Sequence, residues 1–141
     1  MSRVFCRRVV VRFDDADYVG VLYFPQQIHY FMQTLDDFFR EALGLPWRDM
    51  LDRDGLVLPT VNVRVDYHYP LRLGEEADIS VRVAHLGGRS VRFHYEVTQV
   101  SGGRRTCTAE HAVVFCARDT WKPVPIPPRY RAALEGYLVA K

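Results

Sequence analysis

Residues 11–25 read VRFDDADYVGVLYFP and hold the residues best suited to chemistry. Asp14, Asp15 and Asp17 form a short acidic stretch that leads into a helical pattern. Gly20, between the acids and the helix, permits a tight backbone turn. The pattern starts at Pro25, whose missing N–H costs nothing at a first helical position. The N–H groups of Phe24, Gln26 and Gln27 then lie at the positive end of the helix dipole. A carboxylate and an anion-stabilising helix end, a few residues apart, suit acyl transfer. The N–H groups would hold a developing oxyanion. The carboxylate would attack an acyl carbon or activate water. Acidic residues before a helix also serve as caps and turn formers, so spacing alone leaves a purely structural loop open.

Other candidate chemistry is weaker. DDAD lacks the glycine and terminal glutamate of a calcium loop. His29, His68, His85, His94 and His111 include no pair at metal-site spacing. Cys6, Cys107 and Cys116 are odd in number, lack CxxC spacing and lie in apolar strand patterns. Buried, reduced, inert thiols are expected. Ser90 is not in a G-x-S-x-G setting, which argues against a serine hydrolase.

The elements that must position the acidic loop follow from hydrophobic period. Phe5 to Phe13 predicts a strand. From Pro25 to Leu43, Ile28, Phe31, Met32, Leu35, Phe38, Phe39 and Ala42 recur at helical steps, with Gln26, Gln27, Gln33, Asp36 and Asp37 assigned to the other faces. Gly44 and Pro46 stop this helix, and Trp47 to Arg53 predicts a short second one. Strict alternation then predicts strands over 61–69, 77–83 and 91–97, with hairpin turns at Gly87-Gly88 and Gly102-Gly103. The last strand, Arg105 to Ala117, is apolar at every position from Ala112, which predicts cover on both faces and a partner surface. A closing helix is expected over Arg129 to Val139. One apolar helix across one antiparallel sheet is an α+β two-layer solution.

Composition narrows the function classes. With 141 residues, 48% hydrophobic and 26% charged, the chain suits a single domain over 1–141 with a real core. Its apolar runs are too short to span a membrane as a helix. The opening MSRVFCRRVVVRF carries charge where a signal peptide needs an apolar core, so a cytoplasmic location is expected. Net charge is only +2, and the arginines are scattered, so no nucleic-acid partner is expected.

The chain resembles the hotdog-fold acyl-CoA thioesterases, most closely the 4-hydroxybenzoyl-CoA thioesterase group. The shared string is Phe13, Asp15, Ala16, Asp17, Gly20, Val21, Leu22, Tyr23, Phe24 and Pro25. The likeness continues through GLPWR (44–48), GLVLPTVNV (55–63), DYHYPLRLGEEADI (66–79) and GRSVRFHYEV (88–97). The resemblance implies a hotdog fold, one antiparallel sheet wrapped around a long central helix. It implies hydrolysis of an aryl-, short- or medium-acyl-CoA to free acid and coenzyme A, which is the leaving group. No cofactor or metal is implied.

Residue by residue, Asp17 matches the family's catalytic carboxylate, as nucleophile or general base. The backbone N–H of Phe24 matches the group that polarises the thioester carbonyl, and Gly20 shapes the loop where the thioester approaches. Arg89 and Ser90 match the basic turn that meets the coenzyme A phosphates. Tyr23, Pro25 and Met32 are candidate substrate contacts. Thr60 and Asn62 lie on the strand that, in the family, nears the pocket across the subunit boundary. Phe24 stands where Tol–Pal-associated relatives carry histidine, and Met32 where the hydroxyaryl enzyme carries an acid; both suggest an apolar acyl pocket. The family pairs hotdogs into dimers and dimers into tetramers, so a homo-oligomer is expected. Two alternatives share the fold: a non-catalytic acyl-CoA-binding module, and an acyl-thioester hydratase or dehydratase. The second uses a loop histidine, and no histidine precedes the helix here.

Overall fold

A computed structural model describes residues 3–139. In chain order the elements are β1 (Phe5–Val10), α1 (Phe24–Asp37), α2 (Trp47–Asp52), β2 (Leu56–Val57), β3 (Thr60–Tyr67), β4 (Glu76–Leu86), β5 (Ser90–Gln99), β6 (Arg105–Val114), β7 (Cys116–Ala117) and α3 (Pro128–Glu135). Five strands make one antiparallel sheet in the order β1-β4-β5-β6-β3. The sheet curls around α1, which is the hotdog arrangement. No helix among the described residues is long and apolar enough to cross a membrane.

Alternation decides which sheet face takes the helix. Ile79, Val81 and Val83 of β4, Phe93, Tyr95 and Val97 of β5, and Ala109 and Val113 of β6 are all buried. Against them α1 presents Phe31 and Leu35. Phe31 stacks on Tyr95 with ring centroids 4.6 Å apart. Each fully buried side chain of this kind contributes about 1.5–3 kcal/mol. After Asp37 the helix widens into a π-helical segment, Phe38–Leu43, closed by Gly44 at φ +69°. Consecutive Phe38 and Phe39 are therefore both buried, one against Tyr137 and the other stacked on Trp47.

Several boundaries differ from the pattern reading. β1 ends at Val10, because Phe13–Asp15 tighten into a 3-10 turn. α1 starts one residue early, so Pro25 is its second residue. α3 stops at Glu135, and the chain runs on to Val139, whose N–H donates to Val83 O. Cys6 is exposed, because it falls on the outward face of β1, whereas Cys107 and Cys116 are buried. Burial pushes the Cys107 thiol up to about 12, which keeps it protonated and inert. The apolar end of the last strand is covered within its own chain: β7 pairs with β2, and Phe115 packs edge-on against Tyr130. The cover expected on both of its faces thus comes from the same chain.

The sheet's edges are β1 and β3, and of the two β3 carries the more exposed apolar side chains, Val61, Val63 and Tyr67. The alternating valines of β3 predicted a core strand, yet these three side chains are exposed because the strand lies beyond the cover of α1. A bulge between Thr60 and Asn62 also shifts the alternation. Thr60, opposite Val113, thereby takes the inner face that the pattern gave to Val61. Its hydroxyl lies 2.7 Å from His111 Nε2, and His111 Nδ1 lies 3.0 Å from the Tyr95 hydroxyl. His111 is buried, and burial pushes its pKa from 6.5 down to about 4.

This histidine makes stability depend on pH. Above about pH 6.5 the ring is neutral in both the folded and unfolded chain. As pH falls toward 4, the unfolded chain takes up a proton that folded His111 refuses, and stability is lost. Urea unfolding is expected to show a falling midpoint from pH 7 to 5. The slope should shrink in His111→Gln, even though that variant is less stable at pH 7.

Candidate active site

The acidic loop is held by backbone hydrogen bonds to the connection between β3 and β4. Leu22 N–H donates to Leu71 O (2.7 Å) and Leu73 N–H to Gly20 O (2.9 Å), while Val21 bridges Arg72. Within the loop, Asp17 N–H donates to Val21 O and Gly20 N–H to Asp17 O. Gly20 turns at φ +84°, and a Cβ there would meet nothing within 4 Å. The requirement for glycine is therefore conformational, not one of space.

The two inner acids have separate roles. Asp15 Oδ2 accepts from the Tyr30 hydroxyl (2.6 Å) and from Arg12 N–H (3.0 Å), tying the loop to the second turn of α1. Burial and the Asp15 carboxylate push the Tyr30 hydroxyl above the ordinary tyrosine range, so it remains a donor. Asp17 Oδ1 accepts from Val19 N–H (3.0 Å) and Val21 N–H (3.3 Å). Its Oδ2 has no protein donor among the described residues. One oxygen thus fixes the orientation of the carboxylate.

At the helix start, Tyr23 is the cap residue, exposed, and its N–H donates to Asp15 O. Gln26 N–H is used by Tyr23 O, contrary to expectation, while Phe24 N–H takes no part in the backbone bonds of the loop. Pro25 has no N–H to offer. The helix end thus presents the Phe24 N–H. The Tyr67 hydroxyl donates to Phe24 O (2.9 Å) and pins this first turn to the edge strand.

A cavity of about 320 Å³ opens beside it, lined by Val21 and Leu22 of the loop, Phe24 and Gln27 of α1, and Tyr67 and Leu71 among others. Met32 is not part of it. It falls with Phe24 and Ile28 on a partly exposed apolar stripe at four-residue steps. Gln27, which the pattern placed on a polar face, is buried and lines the cavity. It lies four residues before Phe31 and three before Tyr30, both buried, so the period held the signal that its amide type concealed.

The loop's hydrogen bonds set Asp17 against Gly20 and Val21, and Tyr23 against Asp15, at the start of the helix that carries Phe24 and Pro25. The loop does not gather Arg89, Ser90, Thr60 and Asn62. The Asp17 loop lies beside the chain just before β4, whereas Arg89 sits in the turn after β4 and Ser90 opens β5. β4 has 11 residues, which separates the two ends by roughly 35 Å. Ser90 pairs with Val114 and Thr60 with Val113, so these belong together at the far end of the sheet. Asn62 lies on the outer face of β3, opposite Ala112.

The curled sheet and its central helix define a hotdog domain. The model of the thioesterase-like superfamily matches residues 11–134, and the chain belongs to that family, as an enzyme of the thioesterase class. It is 28% identical over 127 residues to a 1,4-dihydroxy-2-naphthoyl-CoA hydrolase of Synechococcus elongatus, covering 89% of this chain and 91% of that one. Its fold is similar to a 1,4-dihydroxy-2-naphthoyl-CoA thioesterase from Synechocystis (TM-score 0.86, 20% identity, 94% and 96% covered). It is also similar to a Staphylococcus aureus protein solved in complex with CoA (TM-score 0.88, 14% identity, 97% and 85% covered).

Removing the loop anchor should destabilise the chain. Asp15→Ala is expected to lower unfolding free energy by about 1.5–3 kcal/mol, the range for a hydrogen bond to a charged group. Tyr30→Phe should give part of that loss. A double-mutant cycle by urea denaturation should show the two effects coupled, and additive effects would rule out the anchor role.

Proposed function

We propose that the chain hydrolyses acyl-CoA thioesters, with an aromatic acyl group as the preferred class. The observation that carries this is the division of labour at Asp17. One oxygen is held by two backbone N–H groups, the other has no donor among the described residues, and the same loop leads into a helix whose first N–H makes no backbone bond among them. The thioester carbonyl accepts from Phe24 N–H, so negative charge developing on its oxygen meets a donor and the positive helix end. Asp17 Oδ2 then attacks the carbonyl carbon. The C–S bond breaks, coenzyme A leaves and takes a proton, and water hydrolyses the resulting anhydride. In the alternative route Asp17 takes a proton from water as the water oxygen attacks. Both routes release the same acid and thiol.

Two points support the aromatic class. Phe24, Tyr67 and Tyr69 supply ring surface to the cavity. The Synechococcus relative is named for an aryl-CoA substrate.

The working unit is a homodimer at least, and dimers would pair into a tetramer. β3 is an edge with free backbone groups and apolar side chains exposed on its inner face. Antiparallel pairing of two β3 strands sets the Thr60 end of one copy beside the Tyr67 end of the other. That brings a second copy's Thr60, Arg89 and Ser90 toward this copy's Asp17. Arg89 then meets the coenzyme A phosphates.

Thiol release from benzoyl-, hydroxybenzoyl-, phenylacetyl-, short- and long-acyl-CoA tests the activity. Aryl thioesters should turn over fastest. Asp17→Asn should lower kcat by about two to four orders of magnitude, the usual worth of such a group, with Tm little changed. Wild-type turnover in that variant would sink the assignment, and binding without hydrolysis would favour the acyl-CoA-binding module. Val63→Asp, on the exposed inner face of β3, should sediment as a monomer and lose activity. An active monomer would exclude a shared site.

A further inference from the structure

Gln27 is not used by the mechanism. It sits three residues after Phe24 in α1, and only 2% of it is exposed. Its side-chain Nε2 is buried with no hydrogen-bond partner among the described residues. Leaving such a donor unpaired costs about 1–3 kcal/mol. Three other polar side chains of the cavity wall are committed, while the Tyr69 ring lies under the Arg104 guanidinium. Tyr67 donates to Phe24 O, Thr106 donates to Val97 O (3.3 Å), and His68 Nε2 meets Thr108 Oγ1 (3.0 Å). Around them the wall is mainly aromatic and aliphatic. A helical side chain leans toward the helix N-terminus, so the amide extends toward the turn that carries Phe24.

Depth separates Gln27 from the reacting carbonyl. Phe24 is 62% exposed and marks the rim, and Asp17 does not line the cavity. A thioester held between Asp17 and Phe24 N–H reacts at the mouth. What enters the cavity is the acyl group beyond the carbonyl, and there it meets the unpaired amide.

We propose that Gln27 is a specificity residue whose side-chain amide donates to an oxygen borne by the acyl group, which selects oxygenated aryl thioesters over unsubstituted ones. The inference rests on the thioesterase reading above. Its physical basis is asymmetric. A ring oxygen gives the buried donor its missing partner, whereas an unsubstituted ring leaves it dry and unpaired.

The test is kcat/KM for benzoyl-CoA and for its 2-, 3- and 4-hydroxy derivatives, measured on the wild-type chain, Gln27→Leu and Gln27→Met. In the wild type at least one hydroxy isomer should exceed benzoyl-CoA tenfold or more. In both variants that ratio should fall to near one. Two apolar replacements, each checked by circular dichroism, keep a folding failure in either from deciding the result. A ratio that survives in the variants, including a uniform loss on all four substrates, overturns the proposal and leaves the thioesterase reading standing. A wild-type ratio near one does the same. Wild-type chain that turns over none of the four, yet hydrolyses aliphatic thioesters, overturns the aryl class and this proposal together. No thioester hydrolysis at all overturns the function.

Discussion

The position at which α1 begins governs the site. Leu71 O and Leu73 N–H hold the loop from both sides, and Gly20 supplies the turn between them. Because the helix starts at Phe24 and Pro25 follows, one N–H stands clear at the dipole's positive end. Asp17 is fixed by the same loop, through Val19 and Val21. Carboxylate and donor are thus set by backbone geometry. No long side chain has to be frozen to place either, so little conformational entropy is spent on their alignment.

The apolar core holds that arrangement against the sheet. The widened end of α1 buries Phe38 and Phe39 together, and Phe31 stacks on Tyr95. A helix anchored so firmly along its length can leave its first turn partly exposed. That turn is steadied instead by the Tyr67 hydroxyl on the Phe24 carbonyl, and the turn after it by Tyr30 on Asp15.

Much of this was legible in the sequence. The helical stripe and the alternation of β4 and β5 reflect strong burial, so period revealed them directly. The loop acids and Gly20 were legible because residue type and spacing limit what such a turn can do. Other features depend on what lies opposite each strand, which spacing does not encode. Val61 and Val63 alternate like core residues but sit on an edge. The bulge that turns Thr60 inward leaves no mark on the valine pattern. Gln27 followed the helical period and was hidden by its polarity. Arg89 and Ser90 were matched to the same site as Asp17, although a full strand length separates them within one chain.

The turn that carries Asp17 has one further consequence. Tyr18 is fully exposed and Val19 largely so, while their backbone is fixed on either side by Asp17 and Gly20. Neither side chain belongs to the core. Selection can therefore exchange them freely, at the lip of the site, without disturbing the carboxylate next door. The loop separates positions whose backbone holds its shape from positions whose side chains can change in size or charge at little cost to the fold.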